Sequence, residues 1–285
     1  MSASDLISHI ERLDYEYQTL KLLESERKIL DIESYEKFRK SLYDILEVRK
    51  QPIYEKTKNL SQRMSLDHPA FNSKNVMKFN DAIKFTKENE DILVLEINKI
   101  IGNNVPVLEL FPGNGQFTTK LIASDPFYIA DYFQENLEKV GSQFNDFYNN
   151  KRLMKLKITD FELPLPDNQI GLAVSFKFFF VKDLEFIVSW AKEIFRVLRP
   201  TGSFIFNFIP DHTPGGIRMA EKHILTLINC QQLKKELEDI GYDEIKININ
   251  DIYGSSITAQ KPGKFNNIKI SPSLARFIDK SEPLV

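Results

Sequence analysis

From Val105 onward, short apolar runs alternate with amphipathic stretches. That alternation leaves few architectures open: strands buried on both faces and joined by crossover helices make a parallel sheet. The pattern predicts strands at 105–111, 127–132, 153–158, 170–176, 203–209, 242–249 and 256–260. Between them it predicts helices at 116–124, 134–148, 184–198, 217–228 and 231–240. The helix at 184–198 is the clearest, with Leu184, Ile187, Val188, Ala191, Ile194, Phe195 and Leu198 on one face and Asp183 placed to cap its start. Arg199-Pro200-Thr201-Gly202 then turns the chain into the next strand, and Gly241 suits the end of the last helix.

The first hundred residues have a different texture. Leu6, Ile10, Leu13, Tyr17 and Leu20 form one apolar stripe, and Ser34 is placed to cap a second helix with Tyr35, Phe38, Leu42 and Ile45. The stripe spans about two heptads, which favours packing on the rest of the chain over a coiled coil. A dimer seam is the other use for it. Residues 51–80 are polar and irregular and read as a linker or lid, and 81–101 return to helix. The organisation expected is a helical cap or interface region at 1–100, a ligand-binding α/β domain at 101–262 and a tail at 263–285.

Composition narrows the class of function. With 38 basic and 40 acidic residues, the chain has no global charge that would draw it to nucleic acid or an anionic membrane. Its one cysteine excludes an intrachain disulfide and a cysteine-based zinc site, and the four histidines show no metal spacing, so no metal is expected. The N-terminus lacks the pattern of a signal peptide and no run approaches 18 apolar residues, so the expected location is the cytoplasm.

The chemistry-bearing residues fall at the ends of the predicted strands. The first strand runs into Glu109-Leu110-Phe111-Pro112-Gly113-Asn114-Gly115-Gln116. Glycines in a strand-to-helix turn let a ligand approach the backbone, although a tight turn alone would also need them. Asp131 ends the second strand, 22 positions after Glu109. A carboxylate at that spacing is suited to accept hydrogen bonds from two ribose hydroxyls. Asp160-Phe161 follows the third strand, and a carboxylate beside a ring suits an adenine amino group and face. Taken singly, Asp131 also fits a solvated loop acid and Phe161 a core aromatic. Their order and spacing together favour a nucleoside ligand.

Leu163-Pro164-Leu165-Pro166-Asp167-Asn168-Gln169-Ile170 leads into the fourth strand, and Glu193-Ile194-Phe195-Arg196-Val197-Leu198-Arg199-Pro200-Thr201-Gly202 into the fifth. With the glycine turn, these segments make residues 105–210 resemble a class I S-adenosylmethionine-dependent methyltransferase domain, of the methyltransferase type 11-like branch. The resemblance extends loosely to about residue 262. It departs from the family pattern at Phe111, where the first glycine of the loop is usual, and at Thr201, where the turn usually has glycine. It implies a Rossmann-like, seven-stranded, mostly parallel sheet with flanking helices, here with an N-terminal helical extension. It also implies S-adenosyl-L-methionine as cofactor and S-adenosyl-L-homocysteine as product. Carried over position by position, the cofactor site would comprise Glu109, Phe111, Gly113, Asn114, Gly115, Asp131, Tyr132, Asp160, Phe161, Ser175 and Phe176. Glu109 would organise the loop or reach the methionine ammonium through water. Ser175 and Phe176 would flank the sulfonium and the acceptor.

Methyl transfer is an in-line displacement that needs orientation first and a general base only for some acceptors. His212, just past the fifth strand and beside Asp211, is the candidate base. Phe178, His68 and Tyr54 are candidates for the acceptor pocket. The expected partner is a small molecule, with a homodimer through the N-terminal helices as a further possibility. A macromolecular acceptor is less favoured: no Asn/Asp-Pro-Pro-Tyr/Phe segment follows the fourth strand, and Cys230 has no Pro-Cys context. A nicotinamide enzyme fits worse, since position 118 is threonine where the third glycine of that fingerprint belongs. A non-catalytic cofactor-binding scaffold stays open.

Overall fold

The computed structural model describes residues 105–146, 152–223, 225–249 and 255–263, and within the first hundred residues 44–57, 71–76 and a few single positions. The predicted apolar stripe at 6–20, His68 and nearly all of the tail lie outside the described residues.

The strands are β1 (Val107–Leu110), β2 (Phe127–Asp131), β3 (Leu153–Lys157), β4 (Ile170–Ser175), β5 (Leu198–Pro210), β6 (Leu227–Ile228), β7 (Asp243–Asn248) and β8 (Ser255–Gln260). They form one sheet in the order β3-β2-β1-β4-β5-β8-β7, with β6 paired to β5 off that path. β1 to β5 run parallel, β8 is antiparallel to β5, and β7 is antiparallel to β8. The order reverses between β1 and β4. In an open α/β sheet ligands bind at such a reversal, outside the carboxyl ends of the strands.

The helices are α1 (44–57), α2 (Thr118–Leu121), α3 (Gln134–Ser142), α4 (Leu184–Val197), α5 (Pro214–His223) and α6 (Cys230–Ile240). Alternate residues of each central strand feed two cores. On one face Val107, Val174 and Ile205 pack with Phe117, Leu137 and Ile217 and with Leu46 and Ile53 of α1. On the other, Leu108, Ala173 and Phe206 pack with Ile187, Trp190 and Ile194 of α4 and Leu233 and Leu237 of α6. Burial on both faces explains the unbroken apolar runs of β1, β2 and β4. Asp183 caps α4 by accepting from Phe186 N at 2.9 Å, and Gly241 ends α6 at φ 114°.

The segments that carried the resemblance meet in a clamp. Arg196 donates to Leu163 O at 3.1 Å, Leu165 O at 2.9 Å and Asp167 at 2.7 Å, and it pairs with Glu193. Glu193 in turn accepts from Leu163 N at 2.7 Å. The proline-rich entry to β4 is thus pinned to α4 by one arginine.

Several expectations are corrected. Residues 51–57, read as linker, continue the helix from 44–50 through Pro52. Burial of Leu46, Ile53 and Thr57 outweighs the hydrogen bond that proline removes. The helix expected at 217–228 ends at His223, and Leu227–Ile228 pair with Ile209 and Pro210 instead. β5 begins at Leu198, ahead of 203, with a register shift between Ile170 and Leu172 that absorbs the turn. Gly202 is obligatory there, since a Cβ would lie 2.8 Å from Arg199 O.

Candidate cofactor site

β1 delivers the glycine turn to the carboxyl edge. Phe111, Gly113 and Gly115 all have positive φ, at 58°, 58° and 83°. Phe111 therefore keeps the left-handed backbone that glycine adopts freely, at a cost of about 1–2 kcal/mol. Its ring offsets that cost. It is 3% exposed, stacks on Phe178 at 3.7 Å between centroids and on Tyr132 at 5.4 Å, and meets Trp190 edge-on. Thr201, the second departure from the family pattern, likewise has a positive φ of 66°. At both positions the backbone shape persists without the glycine.

Glu109 is 3% exposed and accepts one hydrogen bond, from Thr118 Oγ1 at 2.6 Å. Burial pushes its carboxyl up to about 7, with the Thr118 hydrogen bond acting the other way. It lines a small cleft with Phe111, Pro112, Gly113, Asn114, Gln116, Phe117, Phe176 and Lys177. The cleft lies between the glycine turn and the end of β4. A buried carboxylate with a single neutral donor suits a cationic ligand group, which restores the ionised form.

Asp131 ends β2 at 2% exposure. Its oxygens accept from Phe133 N at 2.9 Å and Asn136 Nδ2 at 3.2 Å, and burial pushes its carboxyl up to about 6 against those bonds. Residues 71–76 cover this region. Ser73 Oγ donates to Asn136 Oδ1 at 2.7 Å, and the Phe71 ring lies 5.5 Å from Tyr132 and 5.1 Å from Phe133. Tyr132 Oη donates to Asp160 O at 2.8 Å and accepts from Trp190 Nε1 at 3.1 Å. Phe161 packs on Phe186 and Trp190. Asp131, Tyr132, Asp160 and Phe161 thus form a second group, away from the cleft walls. Of the two groups, Glu109 fits the implied cofactor, since it faces the cleft where an ammonium would lie, whereas Asp131 lies buried beside the segment 71–76 and outside the cleft walls.

At the end of β4, Ser175 is fully buried and its Oγ has no hydrogen-bond partner among the described residues, while Phe176 lines the cleft. Phe178, Phe179 and Phe180 form a 3-10 turn with Val181, and all three are buried. The expectation that Phe178 lines an acceptor pocket is therefore corrected: its ring is spent on Phe111 and Phe71. Lys182, pushed down to about 7 by burial, lies over the rings of Phe71, Phe178 and Phe186.

Tyr54 and His212 meet at the end of β5, on Asp211. Tyr54 Oη donates to Asp211 Oδ2 at 3.2 Å, Asn229 Nδ2 donates at 3.0 Å, Lys50 Nζ lies 3.8 Å away, and His212 Nδ1 lies 3.5 Å from Oδ1. Burial alone would raise the Asp211 carboxyl, but these donors together hold it below the usual range. Arg49 pairs with Glu221 alongside, so α1 is docked on this edge of the sheet. Among the described residues no group of three or more His, Cys, Asp or Glu is placed to hold a metal.

The sequence pattern missed Gln116, Thr118 and Lys177. Lys177 carried a signal, as the lone charge inside the apolar run Phe176–Val181.

Residues 108–206 match the family model described as a methyltransferase domain. That stretch is a class I S-adenosylmethionine-dependent methyltransferase domain. The match spans about a third of the chain. No curated protein matches by sequence. Among solved structures, one similar fold is that of a Methanococcus maripaludis protein classed as an S-adenosyl-L-methionine-dependent methyltransferase, at TM-score 0.52 and 19% identity, covering 72% of this chain and all (100%) of that one. A Nostoc punctiforme protein classed as an O-methyltransferase aligns at TM-score 0.54 and 15% identity, over 74% of this chain and 69% of that one. Phosphoethanolamine N-methyltransferase 2 of Haemonchus contortus, crystallised with S-adenosyl-L-methionine, aligns at TM-score 0.52 and 11% identity, over 71% of this chain and 60% of its own.

Proposed function

We propose that the chain is an S-adenosylmethionine-dependent methyltransferase that transfers the methyl group to a small-molecule acceptor. The observation that carries this reading is the cleft itself, a small recess walled by the glycine turn, Phe117, Phe176 and Lys177. The Haemonchus neighbour, which shares the fold, is named for a small acceptor.

When bound, S-adenosylmethionine supplies the electrophilic methyl group. The chain's residues orient it. Glu109 holds positive charge in the cleft, Asp131 takes ribose hydroxyls, and Phe176 excludes water from the reacting edge. Alignment of that kind supplies roughly 7–11 kcal/mol. His212, steered by Asp211, is the base that takes a proton from a hydroxyl or ammonium acceptor. Tyr54 lines the same edge from α1.

Calorimetry with S-adenosylmethionine and S-adenosylhomocysteine, with NADH as control, tests the cofactor. The expected result is micromolar binding of the sulfur nucleosides alone. Methyl-labelled cofactor incubated with a cell extract tests the acceptor. Label recovered in the small-molecule filtrate supports the reading; label confined to protein or nucleic acid overturns it.

A further inference from the structure

Asp131 stands at a strand end where a ligand should reach it, yet it is closed off from solvent. Part of its cover comes from outside the α/β domain. Residues 71–76 form a turn that is bonded to itself. Asn75 N and Val76 N both donate to Asn72 O at 3.1 Å, and Asn75 N also lies 3.0 Å from Asn72 Oδ1. Those internal bonds let the segment move as a unit.

Three contacts of different kinds dock it. Ser73 Oγ donates to Asn136 Oδ1 at 2.7 Å, and Asn136 Nδ2 donates to Asp131 Oδ2 at 3.2 Å. The segment is thus tied to the amide that holds the carboxylate. The Phe71 ring meets Tyr132 and Phe133, just past β2, and Phe178, just past β4, at 5.5, 5.1 and 6.4 Å between centroids. Lys182 Nζ lies 4.3 Å from the centre of that same ring. In the sheet, β2 and β4 flank β1. The segment therefore bridges the end of β1 from one side of the strand-order reversal to the other, which is where an open α/β sheet takes its ligand. Its anchorage is small, with Phe71 and Val76 as its buried apolar side chains. An element held by so few contacts opens far more readily than the core.

We propose that residues 71–76 are a gate on the nucleoside edge of the sheet, and that a ligand reaches Asp131 only when Ser73 has left Asn136 and Phe71 has left its rings. The proposal rests on the reading of this edge as the cofactor site. It has a kinetic signature. When the docked form excludes the ligand, the apparent association rate scales with the undocked fraction, so a weaker latch speeds entry.

Stopped-flow mixing of the full chain with S-adenosylhomocysteine tests this. Trp190, the sole tryptophan, donates to Tyr132 Oη at 3.1 Å and reports on the edge. Wild type is compared with Ser73→Ala, which removes one hydrogen bond of the latch and no ring contact, and with Phe71→Ala. Thermal melts without ligand confirm that the variants fold. Association should speed up by about three- to tenfold in Ser73→Ala, the effect of one hydrogen bond on the docking equilibrium, and by more in Phe71→Ala. Unchanged association in Ser73→Ala would overturn the gate. Slower association, or faster release with association unchanged, would also overturn it and make the segment a fixed wall of the site. Wild-type protein that does not bind S-adenosylhomocysteine in calorimetry would instead refute the cofactor reading and remove the gate with it.

Discussion

Replacing Glu109 with glutamine should flatten the pH dependence of both stability and cofactor binding. Burial raises this carboxyl from 4.5 to about 7, so ionising it inside the fold costs about 3 kcal/mol. The sign follows from linkage. Between pH 4.5 and 7 the folded state keeps a proton that the unfolded state has lost, so stability falls as pH rises through that window. Without ligand, the wild type should lose about 3 kcal/mol more than Glu109→Gln between pH 4.5 and 7.5, a difference of about 6–10 °C in Tm. Asp131, raised to about 6 by burial, adds a loss of the same sign in both proteins and cancels in the difference. Binding has the opposite slope. An ammonium beside Glu109 needs the carboxylate, so affinity for S-adenosylhomocysteine should fall by about tenfold per pH unit below 7 and level off above it. Glu109→Gln should bind weakly and without that slope. Melts and calorimetry from pH 5 to 8.5 read both quantities. Superimposable pH profiles for the two proteins would refute the burial argument and the placement of a cation at Glu109.

Three further outcomes follow from the same geometry. Asp131→Ala should weaken S-adenosylhomocysteine binding by roughly 10- to 100-fold, the usual cost of hydrogen bonds to a charged group, and unchanged affinity in calorimetry would sink the ribose assignment. Phe111→Gly relieves a strained φ worth about 1–2 kcal/mol but discards a buried ring worth about 3–5, so urea melts should show a net loss of about 1–4 kcal/mol; a gain would mean the ring stack contributes little. Arg196→Met breaks the clamp between α4 and the entry to β4 and strands Glu193, which is 9% exposed. It should cost about 3 kcal/mol in stability while leaving cofactor affinity at low temperature within about threefold. A selective loss of affinity would place Arg196 in the site.

The legible part of this protein is the part governed by local rules. Strands buried on both faces must read as apolar runs, and a helix lying on them must show a stripe, so β1 to β5, α4 and α6 could be placed from spacing, with Asp183 and Gly241 marking ends. The candidate cofactor residues were legible for the same reason: Glu109, Gly113 and Asp131 sit where strand meets turn, and chain order alone puts strand ends on one edge. What the pattern could not convey is which side chains close over that edge. Phe71 comes from outside the α/β domain, some sixty residues before Tyr132 and Phe133, and nothing near Asp131 announces that Ser73 and Asn136 will cover it. β6 is two residues long and exists only because the end of β5 leaves a partner unpaired. Pro52 signals a break that tertiary packing overrides. The aromatic run Phe178–Phe180 was ambiguous between core and pocket because its orientation depends on the 3-10 turn. That turn follows the strained Lys177, whose backbone Asn207 fixes from the next strand. Phe111 binds these observations together. A glycine at its position would give the same loop with an empty volume beside Tyr132 and Phe178. The ring converts that volume into packing between the glycine turn, the end of β2 and the turn after β4. The parts of the edge proposed to hold the cofactor are thus joined by one side chain, at the position where the chain departs from the family pattern.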